Sequence, residues 1–146
     1  MRITLLLALL AAPGWTEPAF GTWKLNAARS TPAEDIRPKS LTVRIEPHAK
    51  GEAFTLDRVE VDGRTTSSSS ILYLDGEPRP FQGFGCSGIQ SSRREDGSTV
   101  EILRMCASGE WSRLIRRSQA KELVIEITEQ KSDGRRFERR LVLEKR

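Results

Sequence analysis

Histidine, cysteine and serine are the residue types whose spacing could support chemistry in this chain of 146 residues. The only histidine, His48, lies in a Pro-His-Ala-Lys-Gly segment typical of a turn, where a general base or metal ligand is uncommon. Two cysteines and one histidine are too few for a four-ligand zinc site. The serine run at 67–70 lacks the Gly-x-Ser-x-Gly elbow of a hydrolase. The sequence therefore predicts a protein without enzymatic activity, bound metal or cofactor.

Cys86 and Cys106 are predicted to form an intrachain disulfide across one β-hairpin. If Glu95-Asp96-Gly97 is a three-residue loop with Gly97 in the left-handed conformation, paired residues have numbers that sum to 192. The two cysteines meet this condition, and directly opposed strand positions lie within reach of a disulfide. The bond would persist in an oxidising compartment. The alternative is two unpaired, buried thiols that act as small hydrophobic residues.

Arginine pairs toward the C-terminal end are the source of the excess positive charge, which amounts to +4 for the whole chain. The pairs are Arg93-Arg94, Arg116-Arg117, Arg135-Arg136 and Arg139-Arg140. Neighbouring residues on a strand point to opposite faces, so a pair within a strand is divided between the two faces. Acidic residues are interspersed among them. This pattern indicates a solvated surface of mixed charge and no nucleic-acid partner.

Short strand-like segments alternate with turn residues from Ala19 to the C-terminus and must position these groups. They recur every ten to twelve residues, and no connection is long enough to hold a crossover helix. The fold class predicted is therefore all-β, an antiparallel up-and-down β-barrel of 8–10 strands over residues 19–146. A short helical or irregular segment is expected after the first strand, where Ser30 to Glu34 carries helix-start residues.

The last hairpin offers a test of register. A three-residue loop ending at a left-handed Gly134 pairs residues whose numbers sum to 266. The resulting pairs are Leu123 with Leu143, Ile125 with Leu141, and Ile127 with Arg139. Two apolar pairs then share one face, as the interior of a barrel requires.

The hairpin at residues 98–117 is ambiguous. A two-residue turn at Ser108-Gly109 pairs Arg104 with Arg113, but both faces of the hairpin carry enough apolar residues to be internal. If the arginine face is internal, two guanidiniums in a partly apolar lumen need a counter-charge, such as the carboxylate of a ligand. If that face is external, water solvates both. Arg104 and Arg113 are therefore candidate ligand-binding residues.

Residues 1–14 are predicted to be a signal peptide. Met1-Arg2 is a minimal positively charged start, and the apolar run from Ile3 to Ala12 is too short to span a bilayer. The alternative is a buried N-terminal strand. No later stretch is apolar enough to cross a membrane, so an exported protein, periplasmic or secreted and free of the membrane after cleavage, is expected.

The opening of the first strand, Gly21-Thr22-Trp23, resembles the lipocalin signature. With the following Lys-Leu-Asn and the closing Val-Leu-Glu-Lys, it is similar to small secreted bacterial lipocalin-like proteins. The resemblance implies a barrel that binds small hydrophobic ligands. It also implies a structural motif in which an arginine of the last strand, here Arg139, covers Trp23. The absence of an evident helix after the barrel makes a ten-stranded barrel, like that of the cytosolic fatty-acid-binding proteins, an equal architectural candidate.

Two functions follow as hypotheses. The first is an exported, monomeric carrier for a hydrophobic or amphipathic, anionic small molecule. The second is an interaction or structural barrel with a filled lumen that binds another exported protein. The two hypotheses differ in whether the interior of the barrel is empty or filled, because a carrier needs an empty interior for its ligand.

Overall fold

The computed structural model describes residues 19–32 and 38–146. These residues form ten strands and a single turn of 3-10 helix, Ala27–Arg29, which the side chain of Asn26 caps by accepting from the N–H of Arg29. The strands are β1 (Gly21–Leu25), β2 (Ser40–His48), β3 (Gly51–Val59), β4 (Thr65–Leu72), β5 (Arg79–Gly83), β6 (Cys86–Arg94), β7 (Thr99–Cys106), β8 (Trp111–Ser118), β9 (Glu122–Gln130) and β10 (Arg136–Lys145). The predicted signal peptide, 1–14, lies outside the described residues.

Each strand pairs antiparallel with its neighbours in one sheet of order β4-β3-β2-β1-β10-β9-β8-β7-β6-β5. The pairing of β1 with β10 joins the first and last strands and curls the sheet into a barrel. The two ends of that order, β4 and β5, are not hydrogen-bonded to each other, so the barrel is nearly closed. The predicted all-β, up-and-down architecture is confirmed, and the strand number is ten.

Alternate side chains of the strands fill the base of the barrel, as the two-residue period of a strand requires. Trp23, Val43, Ile45, Leu123 and Leu143 are fully buried and belong to one continuous apolar cluster. Burying each large aliphatic side chain contributes about 1.5 to 3 kcal/mol, so this cluster is the main source of stability.

The last hairpin has the predicted register. Leu123 opposes Leu143, Ile125 opposes Leu141 and Ile127 opposes Arg139. The N–H of Lys131 donates to the carbonyl of Arg135, and Gly134 takes a φ of 87°, which closes a three-residue loop. The turn residues were sufficient to predict this register, because only a glycine adopts that φ without strain.

The hairpin of β7 and β8 has a different register from the one predicted. The N–H of Cys106 donates to the carbonyl of Glu110, and Gly109 takes a φ of 89°, so the loop has three residues and not two. Arg104 therefore opposes Ser112, and Arg113 opposes Leu103. The shift of one residue places the two arginines on opposite faces of the sheet.

The Cys86–Cys106 disulfide is present, with 5.3 Å between the two Cα atoms. The pairing used to predict it was nevertheless wrong by two residues, because Cys106 opposes Gly88. The side chain of Asp96 accepts from the N–H groups of Ser98 and Thr99, and Gly97 is not left-handed, so the loop starts one residue later than expected. An even shift preserves the face of each residue, and for this reason the cysteines still meet.

We expect the double variant Cys86→Ser/Cys106→Ser to lower the free energy of unfolding by about 3 kcal/mol, because the disulfide restricts the unfolded chain over a loop of roughly twenty residues. Urea unfolding of the variant and of the oxidised protein measures the difference. The reduced wild-type protein is the control and should match the variant. Equal stability of all three samples would contradict the expectation.

Trp23 is fully buried, and its Nε1–H donates to the carbonyl oxygen of Ala19 at 2.8 Å. The cation beside its ring is Lys145, whose Nζ lies 5.4 Å from the ring centroid, and not the expected Arg139. Lys145 directly opposes Trp23 in the sheet, whereas Arg139 lies six residues earlier on β10, about 20 Å along the strand. Arg139 shares the inward parity of Lys145 but is too far away to cover Trp23.

Candidate ligand-binding site

A cavity of about 620 Å³ occupies the barrel on the side of the turns β5–β6, β7–β8 and β9–β10. This volume falls within the range of about 300 to 1,000 Å³ that is typical of small-molecule sites. The apolar part of its wall comes from the five strands β2, β3, β8, β9 and β10 and includes Leu41, Val43, Leu56, Leu114, Ile125, Ile127 and Leu141. The lumen is therefore partly empty, which is the condition for binding a molecule inside the barrel.

Arg104 is the most unusual side chain in this cavity. It points inward from β7 on the same face as Val100 and Ile102, and only 7% of its surface is exposed. Its Nε–H donates to Oε1 of Gln90 at 2.8 Å, while its Nη2 is buried and has no hydrogen-bond partner. Among the described residues no carboxylate forms an ion pair with it. A buried guanidinium in this state lacks both a counter-charge and a hydrogen-bond acceptor for one of its nitrogens.

Two aromatic rings flank the Arg104 guanidinium. Its Cζ lies 4.3 Å from the centroid of Phe84 and 5.2 Å from that of Phe81, which is cation–π geometry. Burial lowers the pKa of Arg104 from its ordinary value to about 10. The side chain consequently carries its charge at neutral pH, in surroundings that weaken the screening of that charge by water.

Arg113, the other candidate from the sequence, lies on the outer face of the barrel. Its Nη2 is 2.6 Å from Oε2 of Glu101, and the side chain is about half exposed. The structure does not bring Arg104 and Arg113 together, so the lumen holds one of the two guanidiniums.

The other cations that line the cavity have partners of opposite sign, whereas the lining carboxylate of Glu110 at the β7–β8 turn forms no ion pair among the described residues. Nη1 of Arg139 lies 3.1 Å from Oε2 of Glu129, and Nζ of Lys131 lies 3.8 Å from the same oxygen. Arg58 pairs with Glu60 at the β3–β4 turn. Among the described cations of the lining, Arg104 is therefore the one without an ion pair.

A second buried charge cluster lies outside the cavity lining. Nη2 of Arg116 on β8 is 2.7 Å from Oε2 of Glu52 on β3, and each residue is 1% exposed. Nη2 of the half-buried Arg94 is 3.0 Å from the other oxygen of Glu52. Sequence reasoning missed this cluster, because no local pattern links residues that are 64 positions apart. The only available signal was that the Arg116-Arg117 pair must place one arginine inside.

The arrangement combines an apolar wall with a buried cation, and the cysteines and the histidine have structural contacts of their own. Both cysteines are in the disulfide, and Nδ1 of His48 accepts from the N–H of Lys50 in an exposed turn. Over residues 19–32 and 38–146, no helix is long and apolar enough to cross a membrane.

No protein-family model matches the chain, and no curated protein matches it in sequence. Among solved structures, the chain is similar to the zebrafish ileal bile acid-binding protein complexed with cholic acid. The two share 13% sequence identity with a TM-score of 0.54, over 88% of this chain and 99% of the zebrafish chain. At this identity the likeness concerns the fold alone, which is an antiparallel up-and-down β-barrel.

Proposed function

We propose that this protein is an exported carrier that holds one small amphipathic anion inside its barrel. The apolar body of the ligand packs against the wall at Leu41, Leu114 and Ile125, and its anionic group binds Arg104. The observation that carries this proposal is that Arg104 lines the cavity and that its buried Nη2 lacks a hydrogen-bond partner. A ligand carboxylate would supply the missing acceptor and the counter-charge together.

The comparison adds support for the class of ligand. A barrel of the same fold binds cholic acid, which is an amphipathic carboxylic acid. Export is supported by the predicted signal peptide at residues 1–14, by the resemblance to secreted lipocalin-like proteins, and by the disulfide, which suits an oxidising compartment. The alternative function, a filled barrel that binds another protein, needs a lumen without a large cavity.

The test is a titration of the purified protein with dodecanoate, with dodecanol and with cholate, followed by calorimetry. We expect saturable binding of one molecule, with a dissociation constant on the order of micromolar for dodecanoate. Dodecanol has the same chain without the charge, and we expect it to bind about tenfold more weakly or worse. Native mass spectrometry of the protein as purified should show a copurified mass. Absence of saturable binding by all three compounds would overturn the proposal.

A further inference from the structure

The turn between β5 and β6 has an unfavourable backbone conformation. It consists of Phe84 and Gly85, whose φ values are +53° and +72°. Two successive positive φ values define a type I′ turn, in which asparagine, aspartate or glycine normally stands first. A bulky side chain at positive φ is a real outlier, and such strain is concentrated at functional sites.

The side chain of Phe84 faces the candidate anion site. Its ring lies 4.3 Å from Cζ of Arg104, is stacked on Phe81 at 6.0 Å, and is tilted against Phe54 at 6.1 Å. The ring therefore covers one face of the guanidinium, while Gln90 holds its Nε–H. Its Nη2 is buried without a hydrogen-bond partner, so the N–H groups of this nitrogen are available to donate to a ligand anion in a site from which water is partly excluded.

The disulfide ties this turn to the strand that carries Arg104. Cys86 directly follows Gly85, and Cys106 lies two residues beyond Arg104 on β7. Both cysteines line the cavity. The bond thus joins the two chain segments whose side chains, Phe84 and Arg104, are in cation–π contact.

We propose that Phe84 is a positioning residue for the anion site and that the Cys86–Cys106 disulfide keeps it in place, so that the affinity for an anionic ligand depends on the oxidation state of the protein. This inference rests on the proposed function. A dithiol reduces the disulfide to two thiols by giving two electrons and two protons, and is itself oxidised to a disulfide. The untethered turn then relaxes, the Phe84 ring leaves Arg104, and water screens the guanidinium.

The experiment measures the affinities for dodecanoate and dodecanol before and after reduction with dithiothreitol, at low temperature and with circular dichroism to monitor folding. We expect reduction to weaken dodecanoate binding about tenfold and to change dodecanol binding far less, because only the anion gains from an unscreened charge. The Cys86→Ser/Cys106→Ser variant should bind both compounds with the affinities of the reduced protein, and dithiothreitol should not change those affinities.

Two further variants keep the disulfide and isolate the ring. Phe84→Leu should lose the preference for dodecanoate over dodecanol, and Phe84→Trp should retain it, because only an aromatic face stabilises the cation. Equal affinities in the oxidised and reduced proteins, or unfolding on reduction, would overturn the redox dependence. An unchanged preference in Phe84→Leu would overturn the positioning role. If the oxidised protein binds neither compound, the proposed function fails instead.

Discussion

Replacing Glu52 with alanine is expected to lower the free energy of unfolding by about 3 to 5 kcal/mol. Glu52 is the carboxylate between Arg116 and Arg94, and both it and Arg116 are 1% exposed. The substitution leaves the Arg116 guanidinium buried without its counter-charge, and two of its nitrogens already lack a hydrogen-bond partner. Urea unfolding at neutral pH measures the loss.

A matched control and a compensating variant make this result specific. Glu126 pairs with Arg117 at 3.1 Å on the surface, and both side chains are about half exposed, so Glu126→Ala should cost about 0 to 1 kcal/mol. Glu52→Leu combined with Arg116→Met removes both buried charges and should recover most of the stability. If Glu52→Ala costs no more than Glu126→Ala, the ion pair is not buried in solution.

Replacing Arg104 with methionine is expected to weaken dodecanoate binding about 10- to 100-fold, since a hydrogen bond to a charged group contributes about 1.5 to 3 kcal/mol. Dodecanol binding should change little. The ligand-free variant should also be more stable than the wild type. Burial lowers the pKa of Arg104, which means that the fold disfavours the charged form present at neutral pH. Removing that charge therefore removes its unfavourable contribution to the free energy of folding.

Arg113→Met is the control for Arg104→Met, because Arg113 is also on the β7–β8 hairpin but faces outward and pairs with Glu101. Its affinity for dodecanoate should equal that of the wild type. Calorimetric titration of the two variants with both compounds provides the comparison. If both variants lose the same amount of affinity for dodecanoate, the anion is not bound in the lumen. If neither variant loses affinity, Arg104 is not part of the binding site.

Part of the fold could be predicted from the local sequence. Strand segments, their antiparallel order and the register at Gly134 follow from two-residue alternation and from a glycine in the left-handed conformation. These properties depend on residues close together in the chain. The same reasoning failed at Ser108-Gly109, where the loop has three residues and not two.

The one-residue difference in the length of this loop determined which of the two arginines faces the cavity. In a strand, a shift of one residue moves every side chain to the other face, so the difference between two loop lengths determined whether Arg104 meets Arg113 or stands alone in the lumen. Both faces of the hairpin were apolar enough to be internal, and local pattern contained no further information. The predicted register of the two cysteines was wrong by two residues, but a shift by an even number keeps both side chains on the same face of the sheet. The disulfide is therefore present in spite of the error.

The sequence by itself determined the class of fold and the alternation of side chains between the two faces of each strand, and it predicted a disulfide between the only two cysteines. Tertiary structure alone decided which charges meet across the lumen. Glu52 reaches Arg116 from a distant strand, and Lys145 takes the place at Trp23 that Arg139 was expected to fill. The physical reason is that closing a sheet into a barrel sets the stagger of all strands at once, so contacts across its interior depend on every turn together.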